Sequence, residues 1–381
     1  MTLPFRFPKA ALPPEAEALR AEIRAFCASE LAGVPEHRRA LSWMAHDAAF
    51  SRKLGACGWL GLTWPKRYGG HERTALERHV VVEELLAAGA PVAAHWIADR
   101  QSGPLLLRYG TEAQRLHWLP RIARGEAFFC IGMSEPEAGS DLAGVRTRGT
   151  REGGGWRIDG RKIWTSGAQH AHAMIALVRT GEGTRRHDGL SQFLIPLDTP
   201  GITIRPIADL TGDENFAEVT FDGVRLPEDA LIGAEGEGWA QVTAELAFER
   251  SGPERFLSTF RLLAELVRVV GPHPDALQAA VIGRLVAHLV TLRQMALATA
   301  GRLQSGEDPS LEAALVKDLG ARVEQEIPEA AHALVPAETR EVDPAFDATL
   351  AIVTRIAPLV SLRGGTREIL RGIIARGLGL R

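Results

Sequence analysis

The chain has 381 residues, of which 45% are hydrophobic and 24% are charged, and its formal net charge is −3 at pH 7. This length allows a large core and exceeds a single simple domain, so we expect two or three domains. The slightly acidic balance argues against a nucleic-acid surface, which needs clustered lysine and arginine. Three cysteines without metal-ligand spacing indicate reduced thiols. The same spacing argues against a metal site. The N-terminus lacks a signal-peptide pattern, so we expect a cytoplasmic protein with no membrane anchor.

The first part of the chain has the periodicity of amphipathic helices. Thr111 is followed three residues later by Gln114, which is the pattern of a capping box at a helix start. We therefore assign residues 1–125 to an N-terminal helical domain. Apolar positions recur at helical spacing over residues 15–32, 47–57, 74–90 and 103–124.

The composition changes after residue 125 to short β-rich runs separated by turn residues. Asp159-Gly160 is a pair typical of a tight hairpin turn. Short and regularly interrupted strands favour a small sandwich or barrel, which we assign to residues 126–235. The predicted strands cover residues 127–133, 156–158, 161–165, 173–179, 192–197, 202–205 and 217–221.

Helical patterns return at residue 236 and continue to the end of the chain. Long helices with short connections typically pack as a bundle. The predicted fold class is therefore α+β, with an N-terminal helical domain, a middle β domain and a C-terminal helical bundle over residues 236–381. The predicted helices of the bundle lie near residues 238–270, 275–304, 309–334, 343–362 and 366–376.

One stretch, Met133 to Asp141, combines a strand end with a possible ligand-binding loop. An apolar run ends at Ser134-Glu135-Pro136, and an Ala-Gly-Ser-Asp loop follows. Such a loop can offer backbone N–H groups and the hydroxyls of Ser134 and Ser140 to a flat polar ring or a phosphate. Taken alone, however, the stretch is more often a strand end with a polar cap.

The stretch Met-Ser-Glu-Pro-Glu-Ala-Gly-Ser-Asp resembles the flavin-binding signature of the acyl-CoA dehydrogenase family. Other segments resemble motifs of the same family, and they occur in the family's order along almost the whole chain. The resemblance implies the family's fold, FAD as cofactor, and oxidation of the α–β bond of an acyl thioester in fatty acid metabolism. The matching segments are Gly58–Gly70, Trp156–Ser166 and Phe221–Trp239.

The resemblance also implies which residues surround the FAD. Two hydroxyls and two backbone N–H groups would face the ring, an indole would stack on it, and a Gly-Ser pair would lie near the phosphates. For a strand tryptophan, a buried core position is the more common alternative. For a serine at a strand end, the alternative is a cap. The implied residues are Met133, Ser134, Gly139, Ser140, Trp164 and Ser166.

The catalytic base is not where many family members carry it. Their C-terminal aromatic-Glu-Gly-Thr segment corresponds to Arg363-Gly364-Gly365-Thr366 here, and a glycine cannot accept a proton. A branch that includes the isovaleryl-CoA and long-chain enzymes instead has Glu followed by Arg on an earlier helix. Glu249 and Arg250 match that pair, which implies that Glu249 is the base. Arg250 would position this carboxylate or a neighbouring phosphate.

The residues after Glu249 support this choice independently. Pro253 lacks an N–H and crowds the carbonyl four residues earlier, so it predicts a break in the helix that exposes Glu249 to a pocket. The alternative is that Glu249 is a surface residue paired along its helix.

Two motifs of the family's subunit interface are absent. The family's tetramers use Arg-x-Gln-Phe-Gly and Gln-x-x-Gly-Gly segments to reach the neighbouring FAD, and neither matches here at residues 268–272 or 329–338. The resemblance then implies a subunit of a hetero-oligomer, or a homo-oligomer that holds the adenosine differently. The expected partners are an acyl-CoA substrate and an electron-transferring flavoprotein. The alternatives are a non-catalytic subunit and a flavin monooxygenase on the same fold.

Overall fold

The structure is a computed structural model that describes residues 5–249, 252–337 and 341–380, with the backbone alone described for residues 245–249. The chain forms two compact units. The helical unit comprises residues 1–45, 73–92 and 247–381, and the β unit comprises residues 46–72 and 93–246. The predicted domain boundaries after residues 125 and 235 stay predictions.

The α-helices and strands follow one another in the order helical, β, helical. The helices are α1 (Pro14–Glu30), α2 (Glu36–Arg39), α3 (Ala48–Ala56), α4 (Ala75–Ala88), α5 (Ala93–Ile97), α6 (Gly103–Tyr109), α7 (Glu112–Ala123), α8 (Gly238–Glu249), α9 (Phe260–Val270), α10 (Ala276–Gln304), α11 (Ser310–Leu334), α12 (Pro344–Val360) and α13 (Arg367–Gly377). The strands are β1 (Phe129–Gly132), β2 (Arg148–Glu152), β3 (Gly155–Ser166), β4 (Ala173–Arg179), β5 (Leu190–Pro196), β6 (Ile202–Ile207), β7 (Phe216–Pro227) and β8 (Leu231–Ile232).

Local sequence signals account for several helix ends. The capping box at α7 is confirmed, because the Thr111 hydroxyl accepts from the Gln114 N–H and the Gln114 side chain accepts from the Thr111 N–H. The single helix predicted over residues 238–270 is wrong. Pro253 begins a separate 3₁₀ turn between α8 and α9, so the predicted break is confirmed.

Buried charges join α1, α4 and α10 in the helical unit. Glu83 of α4 is 6% exposed, and it accepts hydrogen bonds from Arg20 of α1 at 2.9 Å and from Arg293 of α10 at 3.1 Å. Arg20 also pairs with Glu84. Burial opposes the charge of Glu83, but His79 and Arg293 beside it outweigh burial and hold the pKa of this carboxyl well below its usual range.

Helix α10 is long and apolar. Its most apolar window has a mean hydropathy of 1.3, so by length and composition alone it is a candidate to cross a membrane. A single candidate of this kind is weak evidence, because bundle helices of soluble proteins pass the same test. Two arginines of α10, Arg284 and Arg293, bind Glu326 and Glu83 within the helical unit.

The β unit is built on one eight-stranded sheet in the order β6-β7-β3-β2-β4-β5-β8, with β1 parallel to β4. Strands β3, β4, β5 and β7 send side chains such as Trp156, Met174 and Phe193 into a shared apolar core, which agrees with the predicted small β domain. The opposite face of the sheet packs on a second cluster that includes Trp64 and Trp118. Alternation along β1 places the neighbouring residues Phe129 and Cys130 in these two different cores.

The hairpin predicted at Asp159-Gly160 is wrong. Strand β3 runs through this pair, and its register with β7 is irregular there. The turn lies instead at Gly153 and Gly154, which both have positive φ, as a two-residue hairpin loop requires. Asp159 accepts a hydrogen bond from the Gly223 N–H at 2.8 Å and so ties β3 to β7.

We expect Glu83→Gln to lower the free energy of unfolding by about 3 kcal/mol, because it removes a buried carboxylate that binds both Arg20 and Arg293. The contribution of Glu83 is present above the pKa of an ordinary glutamate, about 4.3, and is lost as the pH falls toward the depressed folded-state value. The difference between the variant and the wild type should therefore narrow in acid. Urea unfolding at pH 7 and at pH 4 measures both effects.

Glu17→Gln is the matched control, since Glu17 binds the same Arg20 but has a side chain that is 54% exposed. We expect it to change the free energy of unfolding by less than about 1 kcal/mol. If Glu83→Gln and Glu17→Gln lowered the free energy of unfolding equally, burial would not be what makes the Glu83 ion pairs stabilising.

Candidate functional site

Two segments of the β unit meet where β1 ends. One is the loop after β1, residues 133–141, and the other is the last part of β3, residues 163–166. The Ile163 N–H donates to the Ser134 carbonyl at 2.9 Å and joins the two segments. We call Met133, Ser134, Trp164 and Ser166 the site face. The fold thus places four of the six residues predicted to surround a flavin on two segments that this hydrogen bond joins.

Trp164 is held in an unusual conformation by a β-bulge. The register of β3 with β7 passes from Lys162 opposite Val219 to Thr165 opposite Ala217, so two residues of β3 oppose one of β7. Trp164 has a φ of 57° and is 59% exposed, and its ring makes an edge contact with Phe216 at 6.3 Å between ring centroids. The common alternative of a buried core tryptophan does not apply. A strained backbone that presents a bare indole is typical of a functional position.

A buried ion pair lies directly behind the site face. Lys162 is fully buried, and its Nζ donates to Glu135 Oε1 at 2.8 Å and to the Met133 carbonyl at 3.1 Å. The Glu135 carboxylate also accepts from the N–H groups of Arg146 at 2.6 Å and Thr147 at 2.9 Å. This single ion pair therefore ties the end of β1 to β3 and to the residues just before β2.

Burial and charge oppose each other in this pair. Burial lowers the pKa of Lys162 to about 8, although the Glu135 carboxylate favours its charged form. Burial also penalises the charge of Glu135, but the Lys162 ammonium outweighs burial and holds the pKa of that carboxyl below its usual range. Both residues lie within the segments that resemble family motifs, but no sequence pattern connects them. A charged residue at an inward position of a strand was the available signal.

The peptide between Met133 and Ser134 has an open donor. Its carbonyl faces Lys162, and a planar trans peptide directs the Ser134 N–H to the opposite side. Among the described residues this N–H donates no hydrogen bond. A backbone donor without a protein partner needs water or a ligand. The open N–H and the bare indole together fit a flat polar ring such as a flavin.

Gly139 and Ser140 lie farther along the loop. Glu135 and Ala138 exchange backbone hydrogen bonds of 2.9 and 3.0 Å and close a turn before them. Both residues are exposed, and a Cβ at Gly139 would meet nothing within 4 Å. No hydrogen bond within the described part of the chain links this pair to Trp164. They form an open polar surface beside the site face.

Neither residue of the predicted Glu-Arg pair has a described side chain. Glu249 is the last residue of α8 that the structure describes, and only its backbone is described, while the whole of Arg250 lies outside the described residues. In the helical unit, Gly364 has a φ of 67°, and a Cβ there would lie 3.0 Å from the guanidinium of Arg255. Arg255 is 3% exposed. The position where many family members carry their glutamate is thus both backbone-restricted and filled.

Comparison with known proteins identifies the class of this chain. It matches the N-terminal, middle and C-terminal domain models of acyl-CoA dehydrogenases at residues 13–126, 130–224 and 273–379. The acyl-CoA dehydrogenase IpdE1 of Mycobacterium tuberculosis is 36% identical over 96% of this chain and 98% of its own length. The chain belongs to the acyl-CoA dehydrogenase family.

Solved structures agree with this assignment. The Tcur3481-Tcur3483 steroid ACAD has a TM-score of 0.85 and 29% identity, with 97% of each chain covered. The ChsE4-ChsE5 complex from M. tuberculosis has a TM-score of 0.83 and 31% identity over 97% of this chain and 99% of the other. The predicted family, fold class and FAD cofactor are confirmed, and the chain is an FAD-dependent acyl-CoA dehydrogenase.

We expect Trp164→Gly to leave the stability of the FAD-free protein nearly unchanged. Relief of the positive-φ strain and the added freedom of the unfolded chain oppose each other, and each is about 1 kcal/mol. The dissociation constant of FAD should rise about fivefold, because an aromatic contact of about 1 kcal/mol is lost. Thermal unfolding of the apoprotein and fluorescence titration with FAD give the two values.

Trp164→Phe is the matched control, since it keeps an aromatic face and should retain most of the affinity. A large loss of apoprotein stability in Trp164→Gly would show instead that the indole supports the fold.

Proposed function

We propose that this enzyme removes the α proton of an acyl-CoA with Glu249 as the general base. The observation that carries the proposal is Gly364, which has no proton-accepting group and packs against the buried Arg255. The break before Pro253 supports it as well, because Gly252 is extended and a 3₁₀ turn follows it, as expected where proline interrupts a helix close to Glu249. Arg250 follows Glu249 directly and would position this carboxylate or a phosphate.

The remaining roles follow from the chemistry of the site face. FAD, when bound, accepts the hydride that leaves the β carbon of the thioester. The Ser134 N–H and the hydroxyls of Ser134 and Ser166 would orient the ring edge, and Trp164 would cover one side of it. Gly139 and Ser140 would leave room for phosphate oxygens. Glu249 would need apolar surroundings to raise its pKa toward neutrality.

The proposed substrate is a thioester with a bulky, polycyclic acyl group. A relative of similar structure is a steroid ACAD, and 97% of this chain aligns with it. This relationship favours a wide acyl pocket over one for a straight chain.

We further propose a hetero-oligomer with a related chain and an electron-transferring flavoprotein as electron acceptor. One structural relative is the ChsE4-ChsE5 complex. In this chain, Arg268 is held by Glu265 at 2.7 Å and by Asp343 at 2.8 Å, so it is engaged within its own unit. Residues 329–334 continue α11 instead of forming a glycine turn. A partner chain would then supply the contacts to the adenosine side of FAD.

The visible spectrum tests the partner. We expect the chain purified alone to hold little FAD, and the chain co-expressed with a related partner to be yellow. A fully flavin-loaded chain without a partner would support the homo-oligomer instead.

We expect Glu249→Gln to slow thioester-dependent bleaching of the flavin by about 1,000-fold, because the amide cannot accept the α proton. Rapid-mixing absorbance under anaerobic conditions measures the rate. The control is Glu237→Gln, which changes an exposed glutamate just before α8. The flavin of this variant should be reduced at the wild-type rate. Undiminished bleaching in Glu249→Gln would remove Glu249 from the mechanism.

A glutamate at position 364 should not restore this activity. In a Glu249→Gln background, we expect Gly364→Glu to leave bleaching slow and to destabilise the protein by about 1–2 kcal/mol, because φ is positive and Arg255 occupies the space. Recovery of the rate in the double variant would show that the pocket accepts a base from either position.

A further inference from the structure

Lys162 makes contacts that a purely structural lysine does not need. Its side chain has zero exposure, and it approaches the site from inside the β core, two residues before Trp164. One of its hydrogen bonds satisfies Glu135, but the other goes to the backbone carbonyl of Met133 at 3.1 Å. That carbonyl belongs to the same peptide as the open Ser134 N–H.

A charged donor on a carbonyl changes the other end of its peptide. An ammonium hydrogen bond draws electron density toward the Met133 oxygen and makes the Ser134 N–H more positive, and such polarisation is stronger in a dry interior. The direction of this N–H is also fixed. The Ser134 carbonyl accepts from the Ile163 N–H at 2.9 Å, so both flanking peptides are held.

We propose that Lys162 is a positioning residue of the reaction, which polarises and aims the Ser134 N–H at the flavin edge and thereby favours the reduced, electron-rich ring. Lys162 acts through the backbone and does not touch the cofactor. Glu135 is its counterion and keeps it charged in the core. This inference rests on the proposed placement of the flavin at Ser134 but not on the identity of the base.

A purely structural role makes a different prediction. If the pair only held the loop, its removal would weaken the binding of oxidised and reduced FAD equally. If Lys162 polarises the peptide, its removal weakens the reduced form more, because the reduced ring carries more electron density at its hydrogen-bonding edge. The two-electron midpoint potential of the bound flavin reports this ratio and does not depend on fold stability.

The test uses the flavin-loaded protein in the oligomer in which it is isolated. Lys162→Met removes the donor, and the double variant Glu135→Gln/Lys162→Met also removes the charge that would be left alone. Replacing both partners of a buried pair is commonly tolerated, so the double variant protects the test against misfolding. Arg161→Met is the control, because Arg161 is the neighbouring cation on β3 but is exposed and binds Glu218 at 3.5 Å.

We expect both Lys162 variants to bind reduced FAD about tenfold more weakly relative to oxidised FAD, which is a potential about 30 mV more negative. Arg161→Met should keep the wild-type potential. Reduction with dithionite against a reference dye gives the potential without any thioester, so failure of the Glu249 proposal would not affect it.

Several outcomes would overturn the inference. A wild-type potential in the flavin-loaded double variant would exclude polarisation by Lys162. Equal weakening of both redox forms, up to complete loss of FAD from a folded protein, would assign the pair to loop support alone. Failure of both Lys162 variants to fold would lead to that same assignment.

Discussion

The ion pair between Lys162 and Glu135 holds three segments of the β unit together. Moving an ammonium and a carboxylate out of water costs several kcal/mol per ion, and the cost is offset only if the geometry of the pair is good and additional hydrogen bonds are made. Lys162 meets this requirement with Glu135 and the Met133 carbonyl. Glu135 meets it with the amides of Arg146 and Thr147. The chain must therefore bring these segments together wherever the sheet forms.

The strained Trp164 depends on that anchor. A tryptophan with positive φ would relax to an extended strand if its neighbours were free to move. Lys162 is fixed by its buried pair on one side, and Ser166 is paired with Phe216 on the other. The extra residue of the bulge, Trp164, therefore points away from the core and toward solvent. An exposed indole thus results from buried electrostatics two residues away.

Periodicity and local chemistry were enough to predict much of the fold. The capping box at Thr111, the break before Pro253 and most helices depend on residues within a few positions of one another. The family motifs also pointed to Ser134 and Trp164, which the fold brings to one face. The Asp159-Gly160 pair was misinterpreted, because Gly153-Gly154 supplied a better turn a few residues earlier. The link between Glu135 and Lys162 spans 27 residues and has no period, so only the tertiary structure reveals it.

Gly364 bears on how such an enzyme changes over evolutionary time. A single nucleotide change can convert a glycine codon to a glutamate codon, so the genetic distance to the usual family arrangement is small. The structural distance is larger, because a side chain at this position must adopt positive φ and displace the guanidinium of Arg255. A glutamate at this position would therefore require a shift of Arg255 as well as a strained backbone, so the small codon distance understates the barrier between the two arrangements.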